Sequence, residues 1–186
     1  HMEAARSFRE AIRLDSTCAM AYWGLAYVLG PNYNTNSNLG DKTEILKWVN
    51  LAKYHSKNVT PWEQALINAI AEKFPADANA TDENEYAGAM RQVYNQFPDN
   101  DFVVTLFAES LMNLHAWDLY TKKGGEPRPW TPEIVNALEK AMQINPDNPL
   151  ANHLYIHAVE AASDVEKGLA SADRLKRLVP GAGHLV

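Results

Sequence analysis

The sequence predicts an all-α protein, a stack of antiparallel helix hairpins with about eight helices. One pattern, said three times, carries most of that expectation. Phe8, Ala11 and Leu14 run into Tyr22, Leu25, Ala26 and Leu29. Met90, Val93 and Phe97 run into Val104, Phe107, Ala108 and Leu111. Leu138, Ala141 and Ile144 run into Tyr155, Ile156 and Val159. Each copy is an apolar stripe at helical spacing, a short Asp/Asn/Pro turn, and a second stripe. A single hairpin cannot bury both of its apolar faces, so repeated hairpins must stack into a solenoid. Gly and Pro fall between the stripes, where they end helices.

The first helix is expected over about 3–14 and the second over about 18–29, stopped by Gly30-Pro31. Residues 32–40 are rich in Asn and Ser without an apolar period, and read as an exposed loop. Asp41 with Glu44 suggests a capping box for a helix to about Ser56. Thr60-Pro61-Trp62-Glu63 supplies an N-cap, a first-turn proline and a capping carboxylate for a helix to about Phe74. After a polar break at 75–82, Tyr86, Met90, Val93, Tyr94 and Phe97 keep helical spacing. Asp99 and Asn100 then turn the chain into a helix expected to reach Trp117. The Gly/Pro-rich run 122–129 cannot continue it. Thr131-Pro132 restarts the pattern to Ile144, and Asp147-Asn148 turn into a helix carrying His153 and His157. Ser163 and Glu166 suggest a last capping box, before a helix over 168–178.

Composition bounds the function. The 186 residues are 46% apolar and 22% charged, the balance of a folded domain. A net charge of −6 without a Lys/Arg block argues against nucleic acid and anionic membrane. No apolar run approaches the roughly 20 residues of a membrane span. The single Cys18 rules out an internal disulfide and a cysteine zinc cage, and reads as a small buried thiol. His1-Met2 resembles an expression scar. Residues 3–186 read as one helical repeat domain cut at both ends. The sequence leaves the compartment open, with the cytoplasm favoured and a removed signal peptide as the alternative.

Ala4, Phe8 and Ala11 before Asp15, then Tyr22, Leu25 and Ala26, resemble a tetratricopeptide repeat. So do Leu138, Ala141 and Pro146 followed by Asn152, Tyr155 and Val159, and Pro146 to Pro180 is the 34-residue period of that family. The likeness covers most of the chain and degenerates around 60–74. Residues 152–160 and 180–184 are also similar to longer bacterial tetratricopeptide proteins of unsettled function. The resemblance implies a right-handed superhelical stack whose first helices line a concave groove. It then places Met20, Trp23 and Tyr27 in that groove, followed by Phe102, Thr105, Glu109, Met112 and Asn113. From the last unit it adds Leu150, His153, His157, Glu160 and Ala161.

These positions lack the cations with which such domains clamp terminal carboxylates, so an acidic C-terminal tail is disfavoured as partner. An aromatic, histidine-bearing and acidic groove suits a neutral, basic or apolar peptide. The leading expectation is a non-enzymatic protein or peptide interaction module without a cofactor. The alternative is a metal or small-molecule site. His153, His157 and Glu160 share one helical face, where two imidazoles and a carboxylate could hold a divalent ion such as zinc or nickel. Glu109 or His184 would complete the shell. The residue after the first histidine is Leu154, so the zinc-protease pattern is missing. Self-association through exposed repeat ends is a third expectation. Trp23 and Tyr27 read as groove wall or core rather than a cation cage. His55 and His115 read as helix-end residues. No phosphate loop, nucleophile elbow or dinucleotide fingerprint occurs. The Asn-rich loop reads as a solvated insertion, with a lid over the groove as the alternative.

Overall fold

The computed structural model describes residues 1–35, 37–75, 81–123 and 125–181. They form nine α-helices where the sequence suggests about eight, and no strand occurs among them. The helices are α1 Met2–Leu14, α2 Ala19–Leu29, α3 Lys42–His55, α4 Pro61–Lys73 and α5 Glu83–Gln96. Then come α6 Asp101–Leu114, α7 Thr131–Ile144, α8 Pro149–Val159 and α9 Leu169–Leu178. Short 3-10 turns follow α3 and precede α9. None of the helices is long and apolar enough among the described residues to cross a membrane. The chain divides into two compact units, His1–Val93 and Tyr94–Val186.

In the first unit, α1 packs on α2, α2 on α3 and α3 on α4, while α2 also meets α4. Helix α2 is apolar on every side, from Ala19 to Leu29, and is buried on nearly all of it. Gly24 permits the closest approach: a Cβ there would lie 2.3 Å from the Phe8 ring of α1. Leu25, Ala26, Ile45, Ala52, Ile67 and Ile70 are solvent-free. Caps act where the sequence put them. The Asp41 carboxylate accepts from the Thr43 and Glu44 amides, and Glu63 accepts from the Thr60 amide at 2.8 Å. Glu44 itself does not close a box. It accepts from Arg9 and from the Trp48 indole instead.

The second unit repeats the arrangement. Helix α6 packs on α7, α7 on α8 and α8 on α9, and α6 also meets α8. Val104, Phe107, Ala108, Leu138, Ala141, Ala151 and Ala158 form its core. Tyr94 stacks on Phe107, with ring centroids 4.8 Å apart. Asn100 and Asn148 cap α6 and α8 by accepting the Val103 and Ala151 amides.

Three further expectations need correction. Helix α6 ends at Leu114 rather than Trp117, because His115 leaves helical geometry and Trp117 turns left-handed at φ 61°. The expected loop 32–40 is not exposed throughout: Tyr33 is buried, and just before the loop the Lys73 ammonium donates to the carbonyl of the buried Pro31 at 3.1 Å. The last capping box is not made. Glu166 lies within the 3-10 turn Val165–Gly168, and Gly168 begins α9 without a side-chain cap. Gly125 is needed in the loop before α7. Its φ is +63°, and a Cβ would lie 2.7 Å from the Ser163 amide nitrogen.

Candidate functional site

The groove positions expected from the repeat divide into buried and accessible sets. Trp23 is buried; its indole donates to the Leu66 carbonyl at 3.2 Å and its ring stacks on Tyr27 at 5.0 Å. Thr105 and Met112 are fully buried and offer a ligand no surface. These side chains pack helix against helix. Met20 and Phe102 are half-buried, as are Tyr27, Asn113, Leu150, His153 and His157, while Glu160 is exposed. Met20 borders an open concavity of about 580 Å³ with Cys18, Tyr54, His55, Lys57 and Glu63. There His55 lies flat against Tyr22, with centroids 5.5 Å apart.

The second unit brings the most chemistry together. Thr105, Glu109 and Asn113 follow one another at four-residue spacing and so share a face of α6. That face borders α8 at its start, where the Asn148 side chain donates to Thr105 Oγ1 at 3.3 Å and to Asp101 Oδ2 at 2.8 Å. Past the end of α6, Trp117 sets its ring edgewise to His157, with centroids 6.3 Å apart. His157 is in turn edgewise to His153, at 4.8 Å, and its Nδ1 lies 3.1 Å from Glu160 Oε1.

Glu109 is only 8% exposed. Burial pushes its carboxyl up to about 8, because an ion there loses its water. Among the described residues, Asn113 Oδ1 is buried without a hydrogen-bond partner. Trp117 is 64% exposed although its backbone is left-handed, a conformation that costs a bulky side chain about 1–2 kcal/mol. Next to it, His115 stacks on Trp130 at 4.0 Å, and burial pulls its imidazole below the ordinary value against the pull of Asp118.

Of the expected metal set, His153, His157 and Glu160 are neighbours, with Glu160 bonded to His157. No group of three His, Cys, Asp or Glu residues is assembled for a metal ion among the described residues. His184 lies outside them.

Sequence reasoning missed two features. One is Trp117, which carried no signal beyond its place ahead of a Gly/Pro run. The other is Lys73, 1% exposed, whose ammonium lies 3.2 Å from Glu83 and 4.9 Å from the centre of the Tyr86 ring. Burial lowers the Lys73 ammonium's affinity for its proton, and the Glu83 carboxylate opposes that loss. A lysine at a helix end normally reads as a solvated charge, so burial of this one was not visible in the sequence.

Compared with known proteins, the sequence matches no family model and no curated protein.

Proposed function

We propose that this chain is a non-enzymatic peptide-binding module of tetratricopeptide type, with the α6/α8 face as its binding surface. The observations that carry the reading are Glu109 and Asn113 on one face of α6 and, past its end, Trp117 against His157, which in turn meets His153. They combine a buried carboxyl, a carbonyl oxygen without a donor, and an exposed indole held in a costly backbone conformation. Such a mixture of an aromatic anchor and a few placed polar atoms suits recognition of a peptide. The repeat architecture is supported by the packing order: within each unit a helix meets its successor, and α2 meets α4 as α6 meets α8. Such neighbour contacts are those expected of stacked helix hairpins.

The direct test is selection of a random twelve-residue peptide library on the folded chain. Binders are expected that lose affinity with Trp117→Ala or His157→Ala and keep it with substitutions at Tyr54. Failure to recover any binder would end this reading.

A second reading, a divalent metal at the same imidazoles, is favoured by the Glu160 contact to His157. A carboxylate on one ring nitrogen orients an imidazole for metal at the other. Calorimetry with Zn²⁺ and Ni²⁺ decides it. Micromolar binding lost in His157→Ala would support the metal, and no heat of binding would remove it.

A further inference from the structure

We propose that the outward face of α1 is a self-association surface, on which the same helix of a second copy lies antiparallel across a two-fold axis. Helix α1 packs on α2 through Phe8, whose ring lies against Gly24. Opposite Phe8, positions 3, 6, 10 and 13 recur at spacings of three, four and three, which keeps them on one helical face. They hold Glu3, Arg6, Glu10 and Arg13, with side chains 74%, 78%, 54% and 67% exposed. The row is symmetric about Phe8 in position and reversed about it in charge. In an antiparallel pair centred there, Glu3 faces the second copy's Arg13, and Arg6 faces its Glu10. The two-fold axis makes each of these contacts twice.

Charge also selects against other pairings. A parallel pair in register sets each charge against its own copy. Sliding the antiparallel pair by three residues sets Glu3 against Glu10 or Arg6 against Arg13. The chain as a whole carries −6, whereas α1 carries two glutamates and three arginines, so two copies meet here without the general repulsion. Within each helix Arg6 already donates to Glu3, and Arg13 to both oxygens of Glu10. A guanidinium has five donors and a carboxylate about four lone-pair sites, so contacts across the axis extend these pairs without breaking them. Beside the row, a concavity of about 530 Å³ lined by Arg6, Ser7, Glu10, Ala11 and Leu14 gives room to side chains of the second helix. Leu14 there is 72% exposed and offers apolar surface to cover. A helix of 13 residues is only roughly 20 Å long and contacts less than the standard area of a stable complex. The association is therefore weak and sensitive to salt.

Two variants test the pairing by sedimentation, each alone and then mixed. Arg6→Glu with Arg13→Glu makes the row wholly acidic, and Glu3→Arg with Glu10→Arg makes it wholly basic. The wild-type chain is expected to dimerise reversibly at about 0.1–1 mM in low salt. Its affinity should fall several-fold as salt rises from about 50 mM to about 500 mM. Each variant alone should associate roughly tenfold more weakly or less, because every facing pair becomes repulsive. Their equimolar mixture should recover association as a one-to-one heterodimer, a gain that misfolding cannot produce. A wild-type chain that stays monomeric at about 1 mM in low salt would overturn the inference. So would variants that dimerise as the wild type does, or a mixture that associates no better than its parts. None of these results bears on peptide binding at α6 and α8, so the two proposals fail separately.

Discussion

The buried carboxyl of Glu109 sets a pH dependence of stability whose sign and size follow from its surroundings. In the unfolded chain it releases its proton near 4.5, and in the fold it holds the proton up to about 8. Between those values the native state binds more protons than the unfolded state, so stability falls as pH rises. The contribution is fully present below 4.5 and is lost through pH 8. At about 1.4 kcal/mol per pH unit, the interval is worth roughly 5 kcal/mol, and water reaching the carboxylate lowers this toward about 3. Glu109→Gln keeps the shape and cannot ionise. Urea unfolding followed by helical circular dichroism, at each unit from pH 5 to pH 9, gives both stability curves. Contributions from all other groups cancel in their difference. The variant should be close to wild type at pH 5 and about 3–5 kcal/mol more stable at pH 9. Parallel curves would refute the reasoning, showing that Glu109 ionises as freely in the fold as in water.

Gly24→Ala should destabilise by about 1–2 kcal/mol, since overlap with the Phe8 ring outweighs the helical preference of alanine. Adding Phe8→Ala should remove the overlap, and non-additive melting temperatures would show it. Lys73→Met fills the same space but leaves the Pro31 carbonyl and Glu83 without their cation. A loss of about 2–4 kcal/mol is expected in chemical unfolding, partly recovered by Glu83→Gln, and a neutral single variant would contradict it. Asn148→Ala removes the α8 cap and both bonds to α6, for about 2–3 kcal/mol, and should weaken peptide binding by loosening the two helices. A binding constant unchanged in that variant would separate the cap from the site.

Helix positions were legible wherever a local rule acts alone. Pro61 behind Thr60 and Asn148 before Pro149 begin helices because each satisfies or removes the free amides of a first turn. Gly30-Pro31 ends α2 for the complementary reason. The end of α6 was not legible, because apolar spacing continues to Trp117 while the backbone has already turned at His115. The burial of Trp23, Thr105 and Met112 was also beyond reach. A repeat register says which face a residue occupies, but whether a neighbouring helix covers that face is a tertiary fact. The same limit applies to Lys73, whose partners Pro31 and Glu83 stand 42 and 10 residues away in the chain. The pairing of His153 with His157 was legible from spacing, and the Glu160 contact with it. The Trp117 edge against His157 was not, because it depends on a left-handed turn by a residue that rarely makes one.

The most direct measurement is nuclear magnetic resonance on the isotope-labelled chain during titration with a selected peptide. Shifts should concentrate on the Asn113 side-chain amide, the Trp117 indole and the rings of His153 and His157. Shifts confined to the concavity around Cys18 and His55, with α6 and α8 unmoved, would contradict the assignment of the site.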